Sequence, residues 1–416
     1  PPLASTKNLP LMLSDSGSQK GGSWLTTPPE SKWPSPGSGV NPFVHYRELL
    51  WSWHRAMAAG WSDEYFVWVV EDIDRAIART CGTGFRVTPF QENISSGDDG
   101  LPGPVSAKVE TGNVAGSHKA RHLMGLILHM LVDEVPDDTR LAISSCGNAA
   151  FAAATVAGAL GRPIDVFIPT WADSNVVEGL NALGATIHVC ERREGEVGDP
   201  CMTRFQAAVA RGSFPFSVQA IENHWVLDGG RTIGWELADQ IADKPIRIED
   251  LMIQVGGGAL LASCAMGLIE AHQLGRLAYL PRVWAVQAAG CAPFDRAWKG
   301  LHHDNVPQAV LCDAQDRADE LMYPWENPHS LATGILDDVT YDWQGVVRAM
   351  LETGGGSIVA RESEIRQAHQ LTDGQPVAVE PTGSAGLAGV LAAQRLGQLT
   401  NSGRPAVLLT GRSRHH

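Results

Sequence analysis

An α/β fold of mainly parallel sheets, covered by helices on both faces and divided into two lobes, is predicted by three features of this sequence. From Val105 onward, short strand-like runs alternate with longer helical stretches, the pattern of parallel strands joined by crossover helices. Turns rich in glycine and hydroxyl residues follow several of those runs, at the carboxyl ends of strands, where a parallel sheet places its ligands. At 416 residues the chain is also long enough for two lobes with a sizeable core.

The elements follow in order. Residues 1–41 are rich in Pro, Gly and Ser without an apolar period, which predicts a flexible N-terminal arm or a strap over another surface. Tyr46, Leu49, Leu50, Trp53 and Met57 then recur at helical spacing. A second helix is expected to begin at Ser62, a good cap, with Asp63 and Glu64 in its first turn and a buried stripe of Phe66, Val69, Val70, Ile73 and Ile77. Strands are expected over 105–110, 141–144, 164–168, 186–190, 251–255, 283–287, 377–379 and 407–409, with helices between them, for example over 149–160 and 175–183. Residues 313–338, with two prolines and several acids, are the least periodic long segment and read as a surface excursion.

Composition narrows the function classes. The 32 basic and 46 acidic residues give a net charge of −14, which argues against nucleic acid or an anionic membrane surface as a partner. The seven cysteines are scattered with no CxxC pair, so neither a zinc ribbon nor a disulfide framework is expected; no metal is expected, and a reducing cytoplasm fits. No apolar run approaches the roughly 18–20 residues of a membrane span.

The segment KVETGNVAGSHKARHLMG, residues 108–125, centres on Lys119. It reads as a strand, a Gly/Asn turn and a helix opening near Ser117. Amides at a helix start are partly positive, so an ammonium there is disfavoured and its pKa is expected to fall. A neutral lysine condenses with an aldehyde, the requirement for a Schiff base. Four more segments carry chemistry. Ser144-Ser145-Cys146-Gly147-Asn148 opens a helix, either as an ordinary capping turn or as an acceptor site for a carboxylate or phenolate. Cys146 is read as small-residue packing, since nothing pairs it with a base. Gly256, Gly257 and Gly258 lie between a strand and a helix, where backbone amides can face a phosphate; the spacing is neither dinucleotide-type nor P-loop. Glu380-Pro381-Thr382-Gly383-Ser384-Ala385-Gly386 follows another strand, and Thr410 follows the last.

Together and in this order, the segments resemble the fold-type II pyridoxal-phosphate enzymes, the superfamily of tryptophan synthase β chains, threonine synthases and serine/threonine dehydratases. The GSHK run has the spacing of the Schiff-base segment of tryptophan synthase β chains. The resemblance implies pyridoxal 5′-phosphate as cofactor, with Lys119 as the catalytic lysine that holds it and His118 beside it. It further implies Asn148 at the phenolic oxygen, Gly256, Gly257, Gly258 and Ala259 at the phosphate, and Thr410 at the pyridine nitrogen. Ser145, Cys146 and Gly147 would line the substrate carboxylate site, as in threonine synthases and dehydratases. Ala259 stands where the family often has a further glycine, and the carboxylate loop of tryptophan synthase is not found.

These implications predict a large cofactor-binding domain of residues 42–115 and 218–416, a small inserted domain of 116–217, and a cofactor between them. A hydroxyl at the pyridine nitrogen suits expulsion of a β-leaving group over transamination. The expected reaction is β-elimination from a small β-hydroxy amino acid, giving a 2-oxo acid and ammonia; β- or γ-replacement by a synthase is the alternative. The expected partners are an amino-acid substrate and a second copy of the chain, with no nucleic acid and no membrane.

Overall fold

Runs of Val, Ile, Leu and Ala bounded by Gly, Pro or Asn become strands here. The computed structural model describes residues 31–35, 41–94, 100–196, 198–303, 306–372, 378–400 and 403–413. Among these, the strands in chain order are β1 (Phe90–Gln91), β2 (Ser106–Val109), β3 (Leu141–Ser144), β4 (Ile164–Pro169), β5 (Thr186–Cys190), β6 (Phe214–Pro215), β7 (Ile248–Gln254), β8 (Arg282–Ala288), β9 (Gly356–Ala360) and β10 (Arg404–Leu409). A six-stranded sheet has the order β1-β2-β10-β7-β8-β9 and a four-stranded sheet the order β5-β4-β3-β6. All of these pairs are parallel except β1 with β2. The mainly parallel α/β class read from the sequence is therefore the one observed. Val377 lies outside the described residues, and Val379 forms only an isolated bridge with Arg412.

The chain divides into two compact units. One contains 31–35, Thr88–Thr111 and the chain from Arg231 onward, and holds the six-stranded sheet; the other contains 41–87 and Gly112–Gly230, and holds the four-stranded sheet. The expected division grouped 42–115 with 218–416, whereas 42–87, 112–115 and 218–230 belong to the four-stranded unit. Helical periodicity shows that Phe66, Val69, Val70, Ile73 and Ile77 form a buried face, but not what covers it. Here the helix Asp63–Cys81 packs on the helix Asn148–Ala159, and Trp51–Ala58 packs on Lys119–Val132.

In the four-stranded unit, Ser62 caps the helix Asp63–Cys81 by accepting a hydrogen bond from the Tyr65 amide at 3.2 Å. The apolar series Tyr46 to Met57 is not one helix: a turn of 3-10 helix over Arg47–Leu49 precedes a helix over Trp51–Ala58. The break is set from far away. The buried Asp228 carboxylate accepts from the amides of Trp51 and Ser52, each at 2.9 Å, and so acts as the missing cap. His129 Nε2 lies 3.0 Å from the same carboxylate, its Nδ1 lies 3.0 Å from Arg55 Nη1, and the Trp225 ring stacks on it. The helices Lys119–Val132 and Val226–Ala242 touch backbone to backbone, since a Cβ on Gly229 would run into the Arg121 carbonyl.

In the six-stranded unit, successive strand residues face two separate cores. Leu251 and Ile253 of β7 join the core beneath the helix Ala259–Gln273, and Met252 joins the core beneath the helix Pro381–Leu396. Gly383, Gly386 and Gly389 bring the latter helix close: added Cβ atoms would meet the Gly411 backbone, the Met252 carbonyl and the Val286 side chain. Lys108 is fully buried on β2, with its ammonium 2.5 Å from Glu236, 2.8 Å from the Thr88 carbonyl and 3.0 Å from Gln240 Oε1. All three of its protons thus have acceptors, the condition for tolerating a buried charge. Of the expected arm, 31–35 lie within the described residues, and Trp33 Nε1 donates to Asp239 at 2.9 Å. Residues 1–30 and 36–40 of that arm lie outside the described residues. No described helix is long and apolar enough to cross a membrane.

Two histidines make this fold sensitive to acid. Burial pushes the His129 pKa below its ordinary value, against the opposing pull of Asp228, and burial together with the nearby His129 pushes His224 down to about 4. The unfolded chain takes up these protons near pH 6.5 and the folded chain only at lower pH, so stability is full above about pH 6.5 and falls below it. For a fully shifted group the slope approaches ~1.4 kcal/mol per pH unit. Denaturant unfolding from about pH 7 to about pH 4 should give a shallower decline for His224→Gln than for the parent. Equal slopes would remove His224 from this account.

Candidate active site

The lysine segment leaves the six-stranded sheet at the end of β2, where the Glu110 amide donates to the Leu409 carbonyl at 2.7 Å. Asn113 accepts from the Val114 amide and caps a 3-10 turn over Val114–Gly116. Ala115 (φ 54°) and Gly116 (φ 73°) are consecutive left-handed residues. Glycine takes this conformation freely, but at Ala115 it costs roughly 1–2 kcal/mol. Ser117 is extended, His118 caps, and the helix begins at Lys119, two residues later than expected. Lys119 is half-buried, while Ser117 and His118 are buried. The Ser117 hydroxyl has no hydrogen-bond partner among the described residues, so a polar ligand atom would satisfy it.

The second segment lies in the same unit. Ser145, Cys146 and Gly147 link β3 to the helix Asn148–Ala159, with Gly147 at the cap and its amide donating to Ser145 Oγ at 3.3 Å. Gly147 is exposed, and Ser145, Cys146 and Asn148 are half-buried. This helix packs against both the lysine helix and the 114–116 turn, so the unit brings the two segments together. Burial pushes the Cys146 thiol up, which disfavours the thiolate a nucleophile needs and supports the packing reading.

The six-stranded unit gathers the remaining residues. Gly256, Gly257 and Gly258 lead from β7 into the 15-residue helix Ala259–Gln273, with Ala259 buried at its first position. Gly258 has φ 102°, which L residues rarely adopt. An added Cβ there would press on Val346 and Thr340, and one on Gly256 would press on Asp337 and Ile335. The Asp342 amide donates to the Gly257 carbonyl at 2.7 Å, and the Gly334 amide donates to Thr382 Oγ1 at 2.9 Å. Residues 334–342 therefore fold against the glycine loop, so the end of the expected surface excursion is part of the loop's support.

Thr410 follows β10 and is 2 % exposed. Its Oγ1 accepts from Gln254 Nε2 at 2.7 Å, and the same nitrogen faces the carbonyls of Gly383 at 3.2 Å and Leu408 at 3.4 Å. Sequence reading missed Gln254. Its one signal is a polar side chain closing an otherwise apolar strand run, Leu251-Met252-Ile253-Gln254.

A family model described as pyridoxal-phosphate dependent enzyme matches residues 83–411. The chain is 26 % identical over 315 residues to the threonine synthase of Mycobacterium tuberculosis, covering 74 % of this chain and 76 % of the relative. It is 32 % identical over 187 residues to a serine dehydratase-like protein of Rattus norvegicus, covering 44 % and 53 %. Among solved structures, the processed form of threonine deaminase isoform 2 from Solanum lycopersicum superposes with a TM-score of 0.60 at 18 % identity, over 85 % of this chain and 86 % of that one.

The cofactor implied by this family is pyridoxal 5′-phosphate, and each unit by itself carries residues whose chemistry suits one part of it. An aldehyde condenses with a neutral amine, which the Lys119 side chain at a helix start can supply. Backbone amides at a helix N-terminus, as at Gly256 to Ala259, suit a phosphate, and a hydroxyl, as at Thr410, suits a hydrogen bond to a ring nitrogen. Borohydride reduction followed by peptide mapping should place the cofactor on Lys119, and Lys119→Ala should lose that label; a label on another lysine would displace the assignment. Gly258→Ala should lower cofactor affinity several-fold and destabilise the fold by roughly 1–2 kcal/mol. Unchanged affinity by equilibrium dialysis would remove the glycine loop from phosphate binding.

Proposed function

Because the chain belongs to the pyridoxal-phosphate-dependent enzymes, we propose that it is an ammonia lyase acting on a small β-hydroxy amino acid. The products are a 2-oxo acid and ammonia. The observation that carries this reading concerns the cations that a second phosphate would need. A synthase acting on a phosphorylated homoserine must hold the substrate's phosphate with Arg, Lys or free helix-start amides. Arg231 is fully buried, pairs with Glu270 at 2.5 Å and lies over the Trp235 ring. Lys299 pairs with Asp295 at 2.8 Å, and Arg121 is fully buried within the lysine helix. β-Elimination asks only for a carboxylate cradle and room for one side chain.

When bound, pyridoxal phosphate supplies an electron sink for the bonds at the substrate's α-carbon. The chain does the rest. Lys119 would hold the cofactor between turnovers and, once the substrate amine had displaced it, would take the α-proton and pass a proton to the departing β-hydroxyl, which leaves as water. Ser145, Cys146 and Gly147 would receive the substrate carboxylate, and Asn148 would meet the cofactor's phenolic oxygen. His118, at the N-cap position before Lys119, would belong to the cofactor-binding set. Gly256, Gly257, Gly258 and Ala259 would hold the phosphate on backbone amides. Thr410 would meet the ring nitrogen with a hydroxyl rather than a carboxylate, an arrangement that would suit loss of a β-group over transamination.

The similarity to threonine synthase favours replacement chemistry as the second reading, and one assay separates the two. The reconstituted enzyme should release equal amounts of keto acid and ammonia from L-serine or L-threonine, and no phosphate from O-phosphohomoserine. Steady phosphate release with threonine formation, and no keto acid from any β-hydroxy amino acid, would reverse the assignment.

A further inference from the structure

We propose that Cys190 and Cys201 form a reversible oxidation site, a pair of thiols that hydrogen peroxide converts to a disulfide. No CxxC spacing announces the pair; the fold of the four-stranded unit brings it together. Cys190 ends β5, an edge strand of the four-stranded sheet, and Cys201 lies in the first turn of the helix Pro200–Ala210. Both are buried in one small core with Ala142, Phe167, Phe205 and Ala208. A single guanidinium ties the backbone beside one cysteine to the backbone beside the other. Arg204 donates to the carbonyl of Glu191, which follows Cys190, at 2.7 Å, and to the carbonyl of Pro200, which precedes Cys201, at 2.8 Å. Glu196 accepts from the same guanidinium at 2.9 Å and from the Arg193 amide at 2.9 Å.

The two sulfurs have different surroundings. Cys190 Sγ donates to the His188 carbonyl at 3.4 Å, and the Cys201 thiol donates in turn to the Cys190 sulfur. Burial pushes both thiols up, which keeps the pair reduced and slow to react at rest. On Cys190 the Cys201 thiol and the Arg204 charge oppose that push, whereas on Cys201 the Asp199 carboxylate adds to it. Cys190 is therefore the attacking sulfur and Cys201 the resolving one. β5 is exposed along most of its length, Val189 to 58 %, so a small oxidant has a short path to the neighbouring sulfur. The Cys190 sulfur, its proton released to water, attacks one peroxide oxygen and becomes a sulfenic acid. The O–O bond breaks, and the second oxygen takes up that proton and leaves as water. The Cys201 sulfur then attacks the sulfenic sulfur; the S–S bond forms, the S–O bond breaks, and hydroxide leaves with the Cys201 proton as a second water. Two thiols lose one electron each, and the peroxide gains two.

The test treats the holoenzyme with increasing hydrogen peroxide, alkylates the remaining thiols and maps the peptides by mass spectrometry. The half-buried Cys81, Cys146 and Cys312 serve as internal references. A peptide linking Cys190 to Cys201 should appear before the references are consumed, and dithiothreitol should restore both thiols. Cys201→Ala should stop at a sulfenic acid on Cys190 that dimedone captures, while Cys190→Ala should leave Cys201 unlabelled by dimedone. Arg204→Met should form the link roughly tenfold more slowly than the parent, since the clamp and the charge are both lost. Oxidation of Cys81, Cys146 and Cys312 while Cys190 and Cys201 stay reduced would overturn the site, and so would linkage of either cysteine to Cys146. This comparison needs only the parent protein, so it decides the matter even if a variant fails to fold. Dimedone capture on Cys201 in Cys190→Ala, with none on Cys190 in Cys201→Ala, would overturn the assigned roles.

Discussion

The pairing of β10 between β2 and β7 is the constraint on which the six-stranded unit depends. Residues 406–409 run alongside 106–109 in register, while Ala406 and Val407 pair with Leu251 and Met252. Parallel strands send their following loops out at one edge of the sheet. That edge receives Glu110, Thr410 and the glycine loop, all from neighbouring strands. Slippage of β10 by one residue would turn Thr410 to the opposite face and exchange the two cores that Val407 and Leu408 fill. The register is guarded by packing on both faces, in particular by the glycine-lined helix Pro381–Leu396, which admits no displacement toward β7 or β8 without steric overlap.

The stable framework and the chemical residues follow different rules. Lys108, Glu236, Asp228 and His129 are buried and matched with partners. Beside the candidate residues of each unit the local rules are broken: Ala115 is left-handed, and Ser117 Oγ and Gln254 Oε1 are buried without partners among the described residues. Each of the two unmatched atoms costs about 1–3 kcal/mol. Such costs persist where the surroundings hold the conformation in place, and they collect at functional sites.

Much of the architecture was legible because strand runs such as Leu141–Ser144 and Thr186–Cys190 are short, apolar or β-branched, and bounded by turns. The Ser62 cap and its stripe were legible for the same local reasons. What escaped depends on partners remote in sequence. β9, Gly356–Ala360, opens with Gly and Ser and is a strand because β8 pairs with it. The interruption before Trp51 is set by Asp228, 177 residues away. Lys119, the glycine loop and Thr410 were each visible as residue types in suggestive turns, whereas Gln254 gains meaning only across the 156 residues that separate it from Thr410.

The position of β10 also shapes how the molecule is made. Its residues, 404–409, are synthesised after every other strand of the described chain, yet they fill an inner place in the sheet. Until they emerge, the facing edges of β2 and β7 carry unpaired backbone groups, the kind of edge to which other chains adhere. Closing a contact between Ser106 and Ala406 fixes a very long loop at once, which slows folding. The nascent chain therefore passes through a long interval with its sheet split in two. Exposed strand edges of this kind are where a folding chain is most open to association with its neighbours.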